Sequence, residues 1–366
     1  MSDFFRQIVR NMNDDTTYVA DDCLHSSEYT GCINTGSYIL NALLSGSIHG
    51  GIANNKITAF AGESATGKTF FALGLIHRFL HDNQSGGVVY YDTETAVTRQ
   101  MMLDRGIDTQ RVIIVEKNTV EEFRTHVSKL LDQYVETPKN SRPPMLLVLD
   151  SLGQLSTKKE VGDINEGKDA RDMTRAQLIR GTFRALSLKL AKARCPMIIT
   201  NHVSDAIGAY VPTKVMGGGG GLKYAASQIV FLSARNEREG TDVIGKIIHC
   251  KLEKSRFTRE RKIVDVKLTY DHGLDRYYGL ADLAVKYGIF KKTGSRLELP
   301  DGTKLFEKSV MREPEKHFTE QVLNLIEAAA STEFKYGLVG HSQEVESEQE
   351  NGNVQEVMDA DTTENE

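Results

Sequence analysis

A segment with the spacing of a phosphate-binding loop, G-x-x-x-x-G-K-[ST], lies between a strand-like run and a helical run. It consists of Gly62, Glu63, Ser64, Ala65, Thr66, Gly67, Lys68 and Thr69. The glycines permit a turn that points backbone N–H groups at phosphate oxygens, and the following helix N-terminus favours an anion. Lys68 is expected to neutralise the β- and γ-phosphates, and the Thr69 hydroxyl to ligate Mg²⁺. The segment therefore predicts a site for ATP and Mg²⁺.

Two carboxylates follow predicted strands and supply further groups that ATP hydrolysis needs. Asp150 ends the apolar run 145–149, at the edge where open α/β sheets bind ligands, and is expected to hold Mg²⁺ partly through water. Glu94 follows the run VVYYD and is the candidate general base for the attacking water. The alternatives are that Asp150 caps the next element and that Glu94 belongs to a solvated acidic loop.

Two segments near these strands lack a regular hydrophobic pattern. The first contains the cations Lys158, Lys159, Lys168, Arg171 and Arg175. The second runs from His202 to Leu222 and includes the glycines Gly217, Gly218 and Gly219. Long irregular loops inside a compact domain are usually functional or disordered. Loops of this composition suit phosphate contacts with nucleic acid, although a charge run is also typical of a solvated face.

The alternation of strands and helices predicts an α/β fold with a largely parallel sheet. Apolar runs predict strands at 57–61, 88–91, 145–149, 197–200 and 229–232, and a β-rich end to the sheet at 246–252 and 262–269. Helical periodicity predicts helices at 70–80, 121–134, 176–193 and 317–330, and one that begins near 280. A short N-terminal helix presents one apolar face, which packs on its own domain or on a neighbouring subunit.

Charge is distributed unevenly along the 366 residues. The net charge is −5, but the segment 342–366 holds nine acidic residues and no Lys or Arg, so the remainder carries +4. This tail is expected to be disordered, either as a solubilising segment or as a polyanion that competes with nucleic acid. The apolar runs are too short to span a bilayer and the four cysteines are scattered. A cytoplasmic protein with no membrane partner is expected.

Taken together, these segments resemble the RecA-type DNA recombinases, most closely the UvsX-type recombinases of phages. The matching segments are GESATGKT, YYDTETA, LLVLDSLGQL, DARDMTRA, MIITNH, VMGGGGGLKYAAS and LEKSRF, in the family's order across residues 30–290. The resemblance implies a RecA-type P-loop ATPase core with a mostly parallel central sheet and two DNA-binding loops, at 36–278. Around this core we expect an N-terminal oligomerisation segment (1–35), a small C-terminal domain (279–340) and the acidic tail (341–366).

The resemblance also implies roles within the nucleotide site. Lys68 and Thr69 hold phosphate and Mg²⁺, Asp150 is the acidic residue at the strand end, and Glu94 is the catalytic glutamate. His202 stands where bacterial members have a glutamine that senses the γ-phosphate at the root of the second DNA loop. The alternative for His202 is that it simply caps the strand.

Further implied roles concern DNA and the neighbouring subunit. The first DNA loop spans about 156–174, with Arg171 as a phosphate contact. The second spans about 203–221, where Gly218 and Gly219 let the backbone approach DNA. Lys254 and Arg256 match cations that reach the ATP of the adjacent subunit, where they stabilise transition-state charge in trans. Otherwise they are exposed cations on a strand.

The implied function is ATP-dependent pairing of single-stranded DNA with homologous duplex, by a filament of many copies, in recombination, repair and recombination-dependent replication. The implied partners are both DNA forms, a recombination mediator and a single-strand-binding protein, in a bacterial host cytoplasm. A hexameric helicase and a non-catalytic mediator that uses ATP as a switch are the alternatives. The chain departs from bacterial members at Thr98 and Met101, where those have Asp and Tyr near the adenine, and after about Leu280.

Overall fold

The computed structural model describes residues 2–12, 31–168, 173–205, 214–218 and 220–337. The predicted acidic tail at 341–366 and the predicted DNA contacts Arg171 and Gly219 lie outside the described residues. Within the described ranges, no helix has the length and apolar character that crossing a bilayer requires.

Strands and helices alternate through the first half of the chain. In order, they are α1 (Ser2–Met12), β1 (Cys32–Ile33), α2 (Tyr38–Ser45), β2 (Ile52–Ala53), β3 (Ile57–Gly62), α3 (Lys68–Asp82), β4 (Gly87–Asp92), α4 (Arg99–Leu103), β5 (Val112–Glu116), α5 (Val120–Glu136), β6 (Met145–Asp150), α6 (Lys158–Asn165) and α7 (Arg175–Ala193). This alternation produces the crossover connections that parallel strands need.

The second half is richer in neighbouring strands. In order, it comprises β7 (Met197–Asp205), β8 (Lys214–Met216), α8 (Gly221–Ala225), β9 (Gln228–Glu239), β10 (Asp242–Ser255), β11 (Ile263–Thr269), β12 (Gly273–Leu274), α9 (Leu280–Lys286), β13 (Lys291–Thr293), β14 (Arg296–Glu298), β15 (Lys304–Phe306), α10 (Glu307–Arg312), α11 (Pro314–His317) and α12 (Glu320–Phe334). The β-rich end that the sequence predicts at 246–269 is confirmed as β10 and β11.

One large sheet organises the fold, with the order β12-β11-β10-β9-β3-β7-β6-β4-β5 and with β8 paired to β7. The strands from β9 through β5 in this order are parallel, whereas β10, β11 and β12 are antiparallel. The predicted α/β fold with a mostly parallel central sheet is therefore confirmed. The carboxyl ends of β3, β4, β6 and β7 meet at one edge, which is where such sheets bind ligands.

Helices cover both faces of the parallel strands, and this explains why those strands are continuous apolar runs. In β6, Leu146 and Val148 point into a hydrophobic cluster that α2 and α3 share. The alternate residues Leu147 and Leu149 point into a second cluster on the opposite face, which α5 and α7 complete. Every residue of β6 is buried, so Asp150 at its end is positioned by a rigid element.

Both predicted irregular loops contain more regular structure than the sequence analysis expects. In the first, Lys158–Asn165 forms α6, which starts with a reciprocal capping box between Thr157 and Glu160. In the second, β7 continues to Asp205 and pairs with β8, so the loop begins and ends as an antiparallel hairpin. Apolar periodicity does not reveal either element, because α6 is held by caps and β8 is exposed.

The elements that the sequence prediction lacks include the strand β5 and the helix α2. Ile113 on the edge strand β5 is 59% exposed. The apolar residues of β5 therefore do not alternate between core and solvent, as they do in a half-buried strand. The helix α2 is buried almost all round and therefore lacks the amphipathic pattern that identifies surface helices. The N-terminal helix is confirmed as α1, and its stripe Phe4, Phe5, Ile8 and Met12 is exposed.

A buried carboxylate ties the C-terminal helices to the sheet. Glu333 of α12 is only 10% exposed and pairs with Lys262 at 2.6 Å and with Lys286 of α9 at 2.7 Å. The Tyr287 hydroxyl also donates to it, at 2.9 Å. Burial raises the pKa of Glu333, but these three donors outweigh burial and bring its pKa to about 2. The α9 and α12 side chains share the cluster that contains α2, and a domain boundary at 279 stays a prediction.

We expect Glu333→Gln to lower the free energy of unfolding at pH 7 by about 2 kcal/mol, because two lysines lose their charged partner in a partly buried site. The folded carboxyl has a pKa of about 2, below the value of 4.5 for an unperturbed Glu. Its contribution is therefore complete above the unfolded pKa and is lost as the pH falls through the folded pKa. Denaturant unfolding at neutral and acid pH measures both effects. An equal difference between the two proteins at pH 7 and below pH 3 would contradict this account.

Candidate nucleotide site and adjoining loops

The phosphate-binding loop joins β3 to α3 at the carboxyl edge of the sheet. Gly67 has φ +91° and Ala65 has φ 61°, a left-handed turn that reverses the chain before α3 begins at Lys68. The sequence analysis expects Gly62 to provide turn geometry, but the structure shows that Gly62 is required because there is no space for a side chain. A Cβ atom there would lie 2.7 Å from Thr66 Oγ1 and 2.8 Å from the Leu232 carbonyl oxygen. Only Gly67 of these two glycines has a positive φ.

Lys68 is buried and lies inside this loop. Its Nζ donates to the Gly62 carbonyl at 3.0 Å and to the Glu63 carbonyl at 2.8 Å, and lies 3.5 Å from His202 Nδ1. Burial lowers the pKa of Lys68, and the carboxylates of Glu94 and Asp150 oppose that change. The Lys68 ammonium group is thus held by two carbonyl groups. A bound polyphosphate would replace these carbonyl groups as the acceptor of its hydrogen bonds.

Asp150 is held rigidly by two buried hydroxyl groups. Tyr90 donates to its Oδ2 at 2.6 Å, and Thr200 donates to its Oδ1. Because each carboxylate oxygen already accepts a hydrogen bond, Asp150 fits a cation held through water better than direct ligation. Thr69 lines the same cavity, and both residues offer the hard oxygen atoms that Mg²⁺ prefers. The donor set therefore fits the predicted ion.

Glu94 is the centre of a hydrogen-bond network next to Asp150. The buried Ser151 hydroxyl donates to Glu94 Oε1 at 2.6 Å, and His202 Nε2 lies 3.2 Å from the same oxygen. Burial raises the pKa of Glu94, but hydrogen bonds from Ser151 and His202, together with the charge of Lys68, lower it overall. The carboxylate is therefore kept ionised, as a proton acceptor must be.

A cavity of about 500 Å³ brings the predicted nucleotide residues together. Of the residues that the sequence analysis names for this site, its lining includes Ser64, Ala65, Gly67, Lys68, Thr69, Glu94, Asp150 and His202. It also includes Lys246 on β10 and Tyr270 in the turn after β11, which sequence reasoning missed because both lie outside any motif. Lys246 Nζ donates to the Ala65 carbonyl. Met101 lines the cavity, whereas Thr98 caps α4 by accepting from Met101 N at 3.2 Å.

The second loop starts directly at this cavity. His202 lies beside Gly62 in the parallel pairing of β7 and β3, and the Gly217 amide donates to the His202 carbonyl at 3.0 Å. Gly218 has φ +81°, which a side chain would disfavour. Gly221 has a packing role instead, because its Cβ would lie 2.7 Å from the Arg180 backbone nitrogen on α7. Part of the glycine run therefore serves the fold rather than a ligand.

The cations of the first loop differ in their surroundings. Lys158 and Lys159 are exposed at the start of α6, and Lys168 is exposed beside Glu166, with which it pairs. Arg175 instead donates to the Leu155 carbonyl at 2.9 Å and to the Gly153 carbonyl at 2.8 Å. Its guanidinium therefore fastens the base of the loop, a structural role that its place in a charge run does not indicate.

Lys254 and Arg256 lie away from the nucleotide cavity of their own chain. Lys254 Nζ caps α8 by donating to the Lys223 carbonyl at 2.6 Å and the Ala226 carbonyl at 2.7 Å. Burial lowers the pKa of Lys254, and the charge of Arg256 adds to this. The two cations are thus fixed on a surface separate from the P-loop.

A second cavity, of about 350 Å³, opens beside α8 near the start of β3. Its cations are Lys56, Arg180, Arg184 and Arg256, and none of the described residues that line it is acidic. Tyr224 stands at this cavity 67% exposed, with the Arg180 guanidinium 5.1 Å from the centre of its ring. We call these five residues the basic pocket. Sequence reasoning missed Arg180 and Arg184, which are spaced one turn apart on α7.

Comparison with known proteins gives a consistent result. Residues 18–275 match the RecA N-terminal domain family. The chain is 30% identical over 260 residues to the recombination and repair protein of Enterobacteria phage T4, an alignment that covers 71% of this chain and 65% of that protein. It is 27% identical over 270 residues to RecA of Paenarthrobacter aurescens, covering 72% of each. It is 28% identical over 253 residues to RecA of Thermotoga maritima, covering 67% of this chain and 66% of that protein.

The alignment with the phage relative spans just under two thirds of that protein. The match to the family, over residues 18–275, contains every motif of the nucleotide cavity. The matched residues run from before β1 to the end of the large sheet. By this match, and by the fold and cavity that those residues form, the chain belongs to the RecA family.

Proposed function

We propose that this chain is a DNA-dependent ATPase that assembles on single-stranded DNA, pairs it with homologous duplex and promotes strand exchange in recombination, repair and recombination-dependent replication. One observation carries the proposal. The cavity that gathers Lys68, Asp150 and Glu94 also contains His202, the residue from which the second loop departs. The nucleotide cavity is therefore connected to a candidate DNA-binding loop through one strand, β7.

Hydrolysis follows from the roles that these side chains can take. Glu94, kept ionised by its donors, would accept a proton as water attacks the γ-phosphorus and ADP leaves with the bond electrons. Lys68 would exchange its carbonyl partners for phosphate oxygens and stabilise the developing charge. Mg²⁺ held by Thr69 and, through water, by Asp150 would neutralise the phosphates. His202 would exchange its contact with Glu94 for the γ-phosphate and so report its presence to the second loop.

The second loop, the exposed Lys158, Lys159 and Lys168, and Arg180 and Arg184 of the basic pocket supply the DNA contacts in this proposal. Gly218 would offer a backbone N–H group beside Ile179 of α7, whereas the Gly217 N–H already donates to the His202 carbonyl. The exposed ring of Tyr224 provides a surface on which a base or a neighbouring subunit could pack. We also propose that a recombination mediator and a single-strand-binding protein act with the filament in a bacterial host cytoplasm.

Lys254 and Arg256 would act on the ATP of the adjacent subunit in a head-to-tail filament, and the exposed apolar stripe of α1 would pack on a neighbour. The separation of these two cations from their own cavity supports this arrangement. It requires that a complete hydrolysis site be built from two chains.

Mixing two inactive variants tests that requirement. The double variant Lys254→Ala/Arg256→Ala retains its P-loop and Glu94. The variant Glu94→Gln retains Lys254 and Arg256, which would act on the ATP of the adjacent subunit. We expect each alone to lack hydrolysis stimulated by single-stranded DNA. An equal mixture should recover about a quarter of the wild-type rate, the share of intact interfaces in random head-to-tail assembly. Full activity of Lys254→Ala/Arg256→Ala on its own, or no recovery in mixtures that assemble on DNA, would contradict the shared site.

A further inference from the structure

Glu63 contacts both faces of the phosphate-binding loop. On the cavity side, its backbone carbonyl accepts from Lys68 Nζ at 2.8 Å and from Thr66 Oγ1 at 2.9 Å. On the outer side, its carboxylate Oε1 lies 2.5 Å from Nζ of Lys214. The residue that holds the P-loop lysine through its main chain thus reaches the second loop through its side chain.

Lys214 is the first residue of β8, the return strand of the second loop. It lies opposite Asp205 in the antiparallel pairing with β7, three residues beyond His202 on that strand. The hairpin therefore contacts the P-loop region twice, through His202 inside the nucleotide cavity and through Lys214 outside it. The outer contact lines a separate cavity of about 570 Å³ between the P-loop and β9 and β10. P-loop and hairpin can therefore influence each other from both sides.

The strength of the Glu63–Lys214 ion pair suits an exchangeable contact. The two side chains are 59% and 40% exposed, and ion pairs with such exposure contribute little to stability. A DNA phosphate that reaches the hairpin competes with the carboxylate for the same ammonium group. A pair this weak can be replaced by a phosphate contact, whereas a buried pair would hold Lys214 in place.

We propose that Glu63 holds Lys214 in the DNA-free chain, and that a phosphate of single-stranded DNA takes Lys214 when the second loop binds. This inference rests on the proposed function, because it requires the second loop to bind DNA. The exchange releases the side chain of the residue whose carbonyl holds Lys68, so DNA binding is transmitted to the nucleotide site. By linkage, the factor by which DNA binding changes nucleotide affinity equals the factor by which nucleotide binding changes DNA affinity.

The test measures binding of a fluorescent single-stranded oligonucleotide to the nucleotide-free full chain over a range of salt concentrations. Glu63→Gln removes the carboxylate charge at constant shape, so phosphate no longer competes with Glu63 for Lys214. We expect about two- to fivefold tighter binding, the equivalent of one exposed ion pair. The plot of log affinity against log salt should keep its slope in Glu63→Gln, because the same phosphate contact forms in both proteins. Lys214→Met should make the slope shallower by about 0.7, the value for one lost phosphate contact on single-stranded DNA.

Two further variants make the result specific to the pair. In a Lys214→Met background, Glu63→Gln should no longer tighten binding, because the lysine that it releases is gone. Glu253→Gln is the matched control, since it removes an equal charge from the same cavity next to Lys251 rather than Lys214. Equal tightening by Glu253→Gln, or tightening that persists without Lys214, would overturn the exchange in favour of a net-charge effect.

The two proposals fail in different ways. If the wild-type chain binds single-stranded DNA with strong salt dependence but Glu63→Gln leaves the affinity unchanged, the exchange is wrong and the proposed function stands. If the wild-type chain binds no single-stranded DNA with or without nucleotide, both are wrong.

Discussion

Lys68→Ala will reduce ATP hydrolysis by about 10³-fold or more and abolish ATP-dependent binding to single-stranded DNA. The reason is the position of the ammonium group, which is buried and donates to two carbonyl groups of the P-loop. Steady-state hydrolysis measured with and without single-stranded DNA, together with nucleotide affinity, reports both losses.

Lys246→Ala is the control for the Lys68 variant. It removes a second lysine from the wall of the same cavity, but one whose ammonium caps the Ala65 carbonyl instead of lying inside the loop. We expect a loss of about tenfold or less, because the interaction positions backbone and leaves the phosphate-binding N–H groups in place. Equal losses in the two variants would show that general positive charge, rather than the placement of Lys68, supports hydrolysis.

Glu94→Gln will separate turnover from binding. The amide has the shape of the carboxylate and keeps an oxygen that can accept from Ser151, but it cannot take a proton from water. We expect hydrolysis to fall by about 10²–10⁴-fold, while nucleotide affinity and ATP-dependent DNA binding are retained and the DNA complexes persist longer. Single-turnover hydrolysis and DNA dissociation, measured on the same preparation, give the two readouts.

Glu116→Gln is the matched control for the Glu94 variant, since Glu116 ends the neighbouring strand β5 but lies on the surface. Near-normal hydrolysis by Glu94→Gln would show that another group accepts the proton. In the wild-type protein, the lowered pKa of Glu94 keeps hydrolysis going as the pH falls below the ordinary range of a glutamate. The rate should fall only when the pH reaches that lowered pKa.

Sequence patterns predict the parallel core of this fold well because each strand there is a short apolar run with a polar residue at its end. Asp150 and Glu94 could be assigned to one sheet edge from that pattern alone, and both line the same cavity. Tyr90 and Thr200 could not, since their hydroxyl groups lie inside buried strands. Their contacts with Asp150 depend on the order β7-β6-β4 in the sheet, which local sequence does not encode.

The loops were harder to predict because tertiary contacts decide their structure. Arg175 lies in a charge run that indicates a solvated face or a DNA contact, yet its guanidinium is bonded to two backbone carbonyl groups. Gly221 lies in a glycine run that suggests a flexible loop, yet it allows α8 to pack on the backbone of α7. In both cases the partner is at least twenty residues away along the chain, beyond the reach of any periodicity.

The central claim is that ATP bound at this P-loop drives pairing between DNA molecules, and joint formation tests it most directly. The measurement follows a labelled single strand entering a homologous supercoiled duplex in the presence of Mg²⁺ and ATP. The account predicts joints that require ATP and homology and that Lys68→Ala does not form. ATP hydrolysis stimulated by single-stranded DNA, but with no joints under any of these conditions, would contradict it and indicate a translocating motor or a mediator.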